Sequence, residues 1–306
     1  MSNNEQELIR IVKQNPFNDV RKAWGRQLKN LQNADFDMLS RYQYVLPCDR
    51  DNPRFVDAVN RGREQNKSGR LRTELFPLPF CGNPRANIWY VQINPRGSEV
   101  DYYEFSSISS SVKRTIQNRL AASVGGCPNS FEFLQNGDEE RLALEERQRL
   151  LINQLDLSRA HHDFYPLTMA FRTFRNNYNR KRIGSYNWWR NALCVNNRNA
   201  LFGDVFANYA EEQWASELGA RLFVIEYYPY ASENPTWNKL YDVNHPYHSF
   251  FVSMLKYAND NGKYVVFRTK RQYEWAGLAE IVSHPYFLAN YRNVSLTKKN
   301  VIGLQL

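Results

Sequence analysis

An apolar run ends at Asn94, and the next residues, Pro95, Arg96 and Gly97, break the chain. A carboxamide at such a point can orient water or contact a sugar, although it cannot act as a base. Pro95 removes a backbone donor and Gly97 permits unusual dihedrals, so the chain is expected to turn sharply after Asn94. Trp89, Val91 and Ile93 alternate as in a strand, which places Asn94 at the strand's carboxyl end. In open parallel α/β sheets that edge is where ligands bind. Glu99 and Asp101 are the nearest carboxylates for activating water, the alternative being solvated loop acids. Tyr102, Tyr103 and Phe105 follow, and each either stacks on a flat ligand or packs in the core.

A second candidate is Glu226, which ends the apolar run Leu222-Phe223-Val224-Ile225 before Tyr227-Tyr228-Pro229-Tyr230. A carboxylate buried without a partner is costly, so Glu226 should have either a partner or a function. In His161-His162-Asp163-Phe164-Tyr165-Pro166 the histidines are adjacent. Neighbours on a strand point to opposite sides and cannot share one metal. His162 or Asp163 is left as a polar contact to a ligand, against the alternative of a surface loop or a capping aspartate. The strongest binding signal is basic: Arg172, Arg175, Arg180, Lys181, Arg182 and Arg190 occur with no intervening acid. Tyr178, Tyr186, Trp188 and Trp189 are interleaved with them. Cations neutralise phosphates and aromatic rings stack on exposed bases, so this segment is expected to contact nucleic acid.

The elements that position these residues read as alternating strands and helices. Strands are expected at 88–93, 221–228, 263–269 and near 293–296, with Phe164-Tyr165-Pro166-Leu167-Thr168 as a further strand end. Helices are expected at 112–123, 132–149, 188–197, 209–218, 247–259 and 273–282. The first 75 or so residues read as helical. Leu8, Ile9, Ile11 and Val12 suggest one helix, and Val20, Trp24, Leu28 and Leu31 a second. Asp51-Asn52-Pro53 opens a third around 55–65. The pattern predicts a three-layer α/β/α domain over 75–306 with a central, mostly parallel sheet, and an N-terminal helical extension over 1–74. That extension would serve as a lid, a DNA-contacting arm or a stabilising element. No flexible linker or repeat divides the chain.

With 306 residues, 42% of them hydrophobic and 14% aromatic, the chain has ample material for a core. Its formal net charge of +9 favours polyanionic partners. No run is long enough to cross a membrane and the first residues are polar, which predicts a cytoplasmic location. Cys48, Cys81, Cys127 and Cys194 are far apart with no Cys-x-x-Cys pair. Reduced, mostly buried thiols are expected, with no metal cluster and no cofactor. Neither a Gly-x-Ser-x-Gly elbow nor a Gly-x-x-x-x-Gly-Lys loop is present, which argues against an α/β hydrolase or a nucleotide-binding enzyme.

Three segments, Phe80-Cys81-Gly82-Asn83-Pro84 through Gly97, Leu222 through Ser232 and Tyr264 through Lys270, together resemble the uracil-DNA glycosylase superfamily, in its divergent bacterial branch. The resemblance covers roughly Leu75 to the end of the chain. It implies a DNA glycosylase that binds DNA, flips a base and hydrolyses its N-glycosidic bond. It assigns Asn94 to hold the attacking water and Phe105 to stack on the base. Gln92, His162, Glu226, Lys298 and Asn300 become expected base contacts, with Glu99, Asp101 and Asp163 as supporting catalytic groups. Phage-defence members make glucosylated hydroxymethylcytosine in phage DNA a plausible substrate class. Thr297-Lys298-Lys299-Asn300 stands where the family usually has a His-Pro-Ser-like motif. That departure opens the alternative of an inactive nucleic-acid-binding member of the same fold.

Overall fold

The computed structural model describes residues 2–19, 45–57, 79–93, 163–164, 167, 184–195, 197–230, 244–275, 277–290, 295–301 and 303–304. Among the described residues five strands form one mixed sheet: β1 (Phe80–Gly82), β2 (Ile88–Gln92), β3 (Leu222–Glu226), β4 (Tyr264–Phe267) and β5 (Tyr286–Phe287). Their spatial order is β1-β3-β2-β4-β5. β3, β2, β4 and β5 run parallel, and β1 pairs antiparallel with β3 at the edge. All five residues of β2 and of β3 are buried. Continuous bulky runs of this kind suit parallel strands covered on both faces.

Helices supply both covers. On one face, Trp89, Val91, Phe223, Ile225, Val265 and Phe267 pack with α1 (Asn3–Lys13) and with Phe17, Leu46 and Phe55. The opposite face carries Ile88, Tyr90, Val224 and Val266 beneath α3 (Gly184–Ala192), α4 (Gly203–Asn208) and α5 (Trp214–Arg221). A short helix between these groups, α2 (Pro47–Arg50), is joined to the first face through Leu46. α6 (Pro246–Asp260) completes the first face with Tyr247, Phe250, Phe251, Met254, Leu255 and Ala258. After β4 comes α7 (Lys270–Trp275), whose Tyr273 packs against that same face. From β2 to β3 the chain crosses on the α3–α5 side, and from β3 to β4 on the α6 side in the opposite direction. Reversing face and direction together keeps the crossovers of one hand.

The N-terminal residues share this core. Ser2 caps α1 by accepting from Glu5 N–H at 3.2 Å, and Leu8, Ile11 and Val12 are buried on the sheet's first face. Each such side chain contributes about 1.5–3 kcal/mol of transfer free energy. Glu5 also holds Arg85, in the turn before β2, with Nε–Oε1 at 3.1 Å. Residues 53–57 are helical, as the Asn52-Pro53 signal predicts, and Asn52 Oδ1 accepts from Arg54 N–H at 3.0 Å.

Several expectations are corrected. Among the described residues the last strand is Tyr286–Phe287, and of the span 293–296 Ser295 and Leu296 are not in a strand while 293–294 fall outside the described residues. Phe164 and Leu167 are not in a strand: Phe164 N–H is committed to Ala215 O on α5 at 2.7 Å, and Leu167 N–H returns to Phe164 O at 3.0 Å. The helix expected over 273–282 is divided, because Gly277 takes φ 65° between α7 and a turn of 3-10 helix at Leu278–Glu280. The helices expected over 20–31, 112–123 and 132–149 lie outside the described residues.

Gly82 has φ +89°, and a Cβ there would lie 2.0 Å from Leu222 O. Left-handed backbone costs an L-residue about 1–2 kcal/mol, and a clash with a neighbouring strand adds to that. Gly82→Ala should therefore lower stability by more than about 2 kcal/mol in urea unfolding, with β1 displaced from β3. An unchanged midpoint would mean that this pairing is not needed.

Candidate functional site at the carboxyl edge of the sheet

In the parallel part of the sheet the chain starts at β2, moves to β3 on one side and then to β4 on the other. The carboxyl ends around such a reversal are where open α/β sheets hold ligands. Gln92 and Glu226 are register partners at the ends of β2 and β3. Phe267 at the end of β4 pairs with Val91, so the next residue, Arg268, comes level with Gln92. Strand alternation puts Tyr90, Gln92, Glu226 and Arg268 on the α3–α5 face.

These groups are polar in an apolar setting. Glu226 is 4% exposed, Gln92 5% and Tyr90 fully buried. Glu226 Oε2, Gln92 Nε2 and Tyr90 Oη find no hydrogen-bond partner among the described residues. Buried polar atoms left unpaired cost about 1–3 kcal/mol each, so three on one face demand an explanation. Burial drives the Glu226 carboxyl well above the ordinary carboxylate range, against a smaller opposing pull from the Arg268 charge. The Tyr90 hydroxyl is raised for the same reason. A carboxylic acid kept neutral can donate a hydrogen bond as well as accept one.

The backbone is held firmly here. Tyr227 N–H donates to Gln92 O at 2.9 Å and Tyr228 N–H to Ile93 O at 2.8 Å, extending the pairing of β2 and β3 beyond their formal ends. Tyr247 Oη donates to Glu226 O, tying the start of α6 to the same edge. Ile93, the residue before Asn94, is thus anchored.

Of the residues singled out in the sequence, Gln92 and Glu226 come together. Asn94, Glu99, Asp101, Phe105, His162, Arg172, Arg175, Arg180, Lys181 and Arg182 lie outside the described residues. Asp163 is half-buried beside Phe164, which is pinned to α5. Lys298 is exposed, and its backbone N–H donates to Asn199 O at 2.9 Å. The base contact expected of Asn300 gives way to a structural clamp. Its Nδ2 donates to Ser295 O at 2.7 Å and its Oδ1 accepts from Asn290 N–H at 3.0 Å.

The basic aromatic segment also changes character at its end. Trp189 is buried, edge-on to Phe164 at 4.7 Å and to half-buried Trp188 at 4.7 Å. Its expected role of stacking on bases is replaced by core packing. Arg190 forms an ion pair with Glu211 and lies 5.7 Å over the Trp214 ring. The acid absent from the local sequence arrives from a later turn, so Arg190 is already neutralised. Trp188 and Arg190 are both half-buried, and of the two rings only Trp188 keeps partial exposure.

A second polar cluster, at Cys48, Asp49 and His245, joins α2 to the start of α6. Asp49 is fully buried, accepting from Tyr230 Oη at 2.8 Å and lying 2.9 Å from His245 Nε2. Cys48 Sγ lies 3.5 Å from the same nitrogen, so the donor atoms are near enough to surround a metal ion. His245 Nδ1, however, accepts from Tyr247 N–H at 3.1 Å, which assigns the ring proton to Nε2 and leaves no lone pair there for a metal. Exposed Cys48, contrary to the expectation of buried thiols, has its pKa raised to about 11 by partial burial and the Asp49 charge, which disfavours the thiolate a metal needs. The cluster is a hydrogen-bonded clamp. Asp49→Ala would remove the acceptor shared by the Tyr230 hydroxyl and the His245 ring, costing about 1–3 kcal/mol. Chemical unfolding should show that loss, and an unaltered midpoint would mean the clamp is not stabilising.

Among the described residues no helix is long and apolar enough to cross a membrane. Comparisons with protein-family models, with curated proteins and with solved structures returned no match.

Proposed function

We propose that this chain is a DNA glycosylase of uracil-DNA glycosylase-like fold, acting in the cytoplasm on a modified or bulky base. Base excision requires a flipped nucleotide, a pocket that reads the base edge and a positioned water at the sugar carbon. The observation that carries the reading is the meeting of unsatisfied Gln92 and Glu226 at the carboxyl edge, directly beside the anchored backbone that leads into Asn94. Gln92 presents an amide donor, and Glu226 as a neutral acid presents a donor and an acceptor, a set suited to a pyrimidine edge. Asn94 holds the water and Phe105 stacks on the base. Arg172, Arg175, Arg180, Lys181 and Arg182 neutralise phosphates. Glucosylated hydroxymethylcytosine in phage DNA is the substrate class to test first.

One observation favours the alternative, a nucleic-acid-binding member without catalysis. Asn300, in the segment where the family's leaving-group motif is expected, is engaged with backbone groups on both sides of its amide. An abasic-site assay decides between them. The purified chain is incubated with oligonucleotides carrying uracil, hydroxymethylcytosine or its glucosylated form, and then treated with alkali. Strand breaks at a modified base are the expected result. Tight DNA binding with no breaks on any substrate would establish the inactive alternative, and absence of both would end the proposal.

A further inference from the structure

Beyond the proposed glycosylase activity, and resting on it, we infer that Arg268 supplies the positive charge that stabilises the departing base. The inference begins from register. Glu226 pairs with Gln92 across β3 and β2, and Phe267 pairs with Val91 across β4 and β2. Continuing one residue past β4 sets Glu226, Gln92 and Arg268 in one row across three adjacent strands. Neighbouring strands are about 4.8 Å apart, so the row spans about 10 Å, enough for a base with its sugar. The residues behind them, Val224, Tyr90 and Val266, form the floor, with the Tyr90 hydroxyl buried and without a partner among the described residues.

Arg268 is half-buried at the rim, while the other two members of the row are buried. Its charge acts on both Glu226 and Tyr90, so the guanidinium lies within electrostatic range of the unsatisfied atoms. A guanidinium stays charged under all working conditions and offers planar donors to an anionic heterocycle. The row is therefore polarised, with a buried carboxyl at one end, an amide in the centre and a guanidinium at the other.

The chemistry needs such a cation. Cleavage of the C1′–N bond sends its electron pair to the base nitrogen, leaving an anionic base and an oxocarbenium-like sugar. Water adds its oxygen to C1′ and releases a proton to solvent, and the base anion takes up a proton from solvent as it leaves. Thr297-Lys298-Lys299-Asn300 contains no histidine to stabilise that anion, and the Asn300 amide is committed elsewhere. Arg268 takes the role from β4, on the opposite side of Gln92 from Glu226.

The test uses single-turnover base release by the full chain, on the modified base found active in the abasic-site assay and on ring-halogenated versions of it. Halogens make the base anion more stable, so a cation on the leaving group matters less. Arg268→Gln should slow release by about 10²-fold or more on the parent base. The deficit should shrink steadily as the leaving group improves, and Arg268→Lys should recover part of the rate. DNA affinity and melting temperature should stay near wild type. A deficit equal on every leaving group, or no deficit, overturns the role of Arg268 while leaving the glycosylase reading intact. If Arg268→Gln does not fold, the same leaving-group dependence is read from Arg268→Lys, and its absence there overturns the role. A wild-type chain that releases no base from any substrate overturns both.

Discussion

Asn94→Ala should leave the protein folded and its DNA affinity nearly unchanged, while base release falls by about 10²-fold or more. That is the scale on which one positioned polar group contributes to a transition state. The expectation follows from the end of β2. Ile93 O is held by Tyr228 N–H at 2.8 Å, so the backbone is anchored beside Glu226 and Gln92 up to the residue that precedes Asn94. A carboxamide there would hold water against the sugar, and alanine would remove that contact without opening the core. Single-turnover release, DNA affinity and melting temperature measured together separate the possibilities. Wild-type release in the variant would remove Asn94 from the mechanism. A collapsed melting temperature would instead identify a turn residue on which the end of β2 depends.

The central strands were legible because burial on both faces demands continuous bulky runs, and β2, β3 and β4 have them. β5 was not. Two residues, Tyr286 and Phe287, carry too little pattern, and they become a strand only through pairing with Val266 and Phe267. Burial likewise separates the polar residues of the site. A lone acid at the end of an apolar strand stands out, so Glu226 was visible from sequence. Arg268 is one cation among 40 basic residues, and only the register of β4 against β2 brings it level with Gln92. The same limitation misplaced Arg190. Absence of acids between Arg172 and Arg190 says nothing about Glu211, which reaches Arg190 through the fold. Asn300 shows the converse, since a short polar side chain near a chain end serves equally well as a backbone clamp. Sequence spacing reveals which residues are costly to bury, and register then determines which of them meet.

Glu226→Gln should make the protein more stable than wild type at neutral pH, with a difference that disappears in acid. Burial raises the native-state pKa of Glu226 well above that of the unfolded chain. Below the unfolded value both states carry the proton, and the neutral acid incurs no ionic penalty. As pH rises past that value the unfolded carboxyl ionises first while the native one stays protonated. The unfolded state then binds fewer protons, so stability declines by about 1.4 kcal/mol per pH unit until the native group ionises as well. The amide is nearly isosteric and cannot ionise, which removes this decline. Urea unfolding from pH 4 to pH 8 should give a shallower pH profile for the variant, with the two curves meeting at the acidic end. Parallel profiles would show that Glu226 is ionised in the folded protein, paired closely enough with Arg268 to offset its burial. The row at the carboxyl edge would then present a carboxylate where the proposed base contact needs a donor, and the pyrimidine-edge assignment would fail with it.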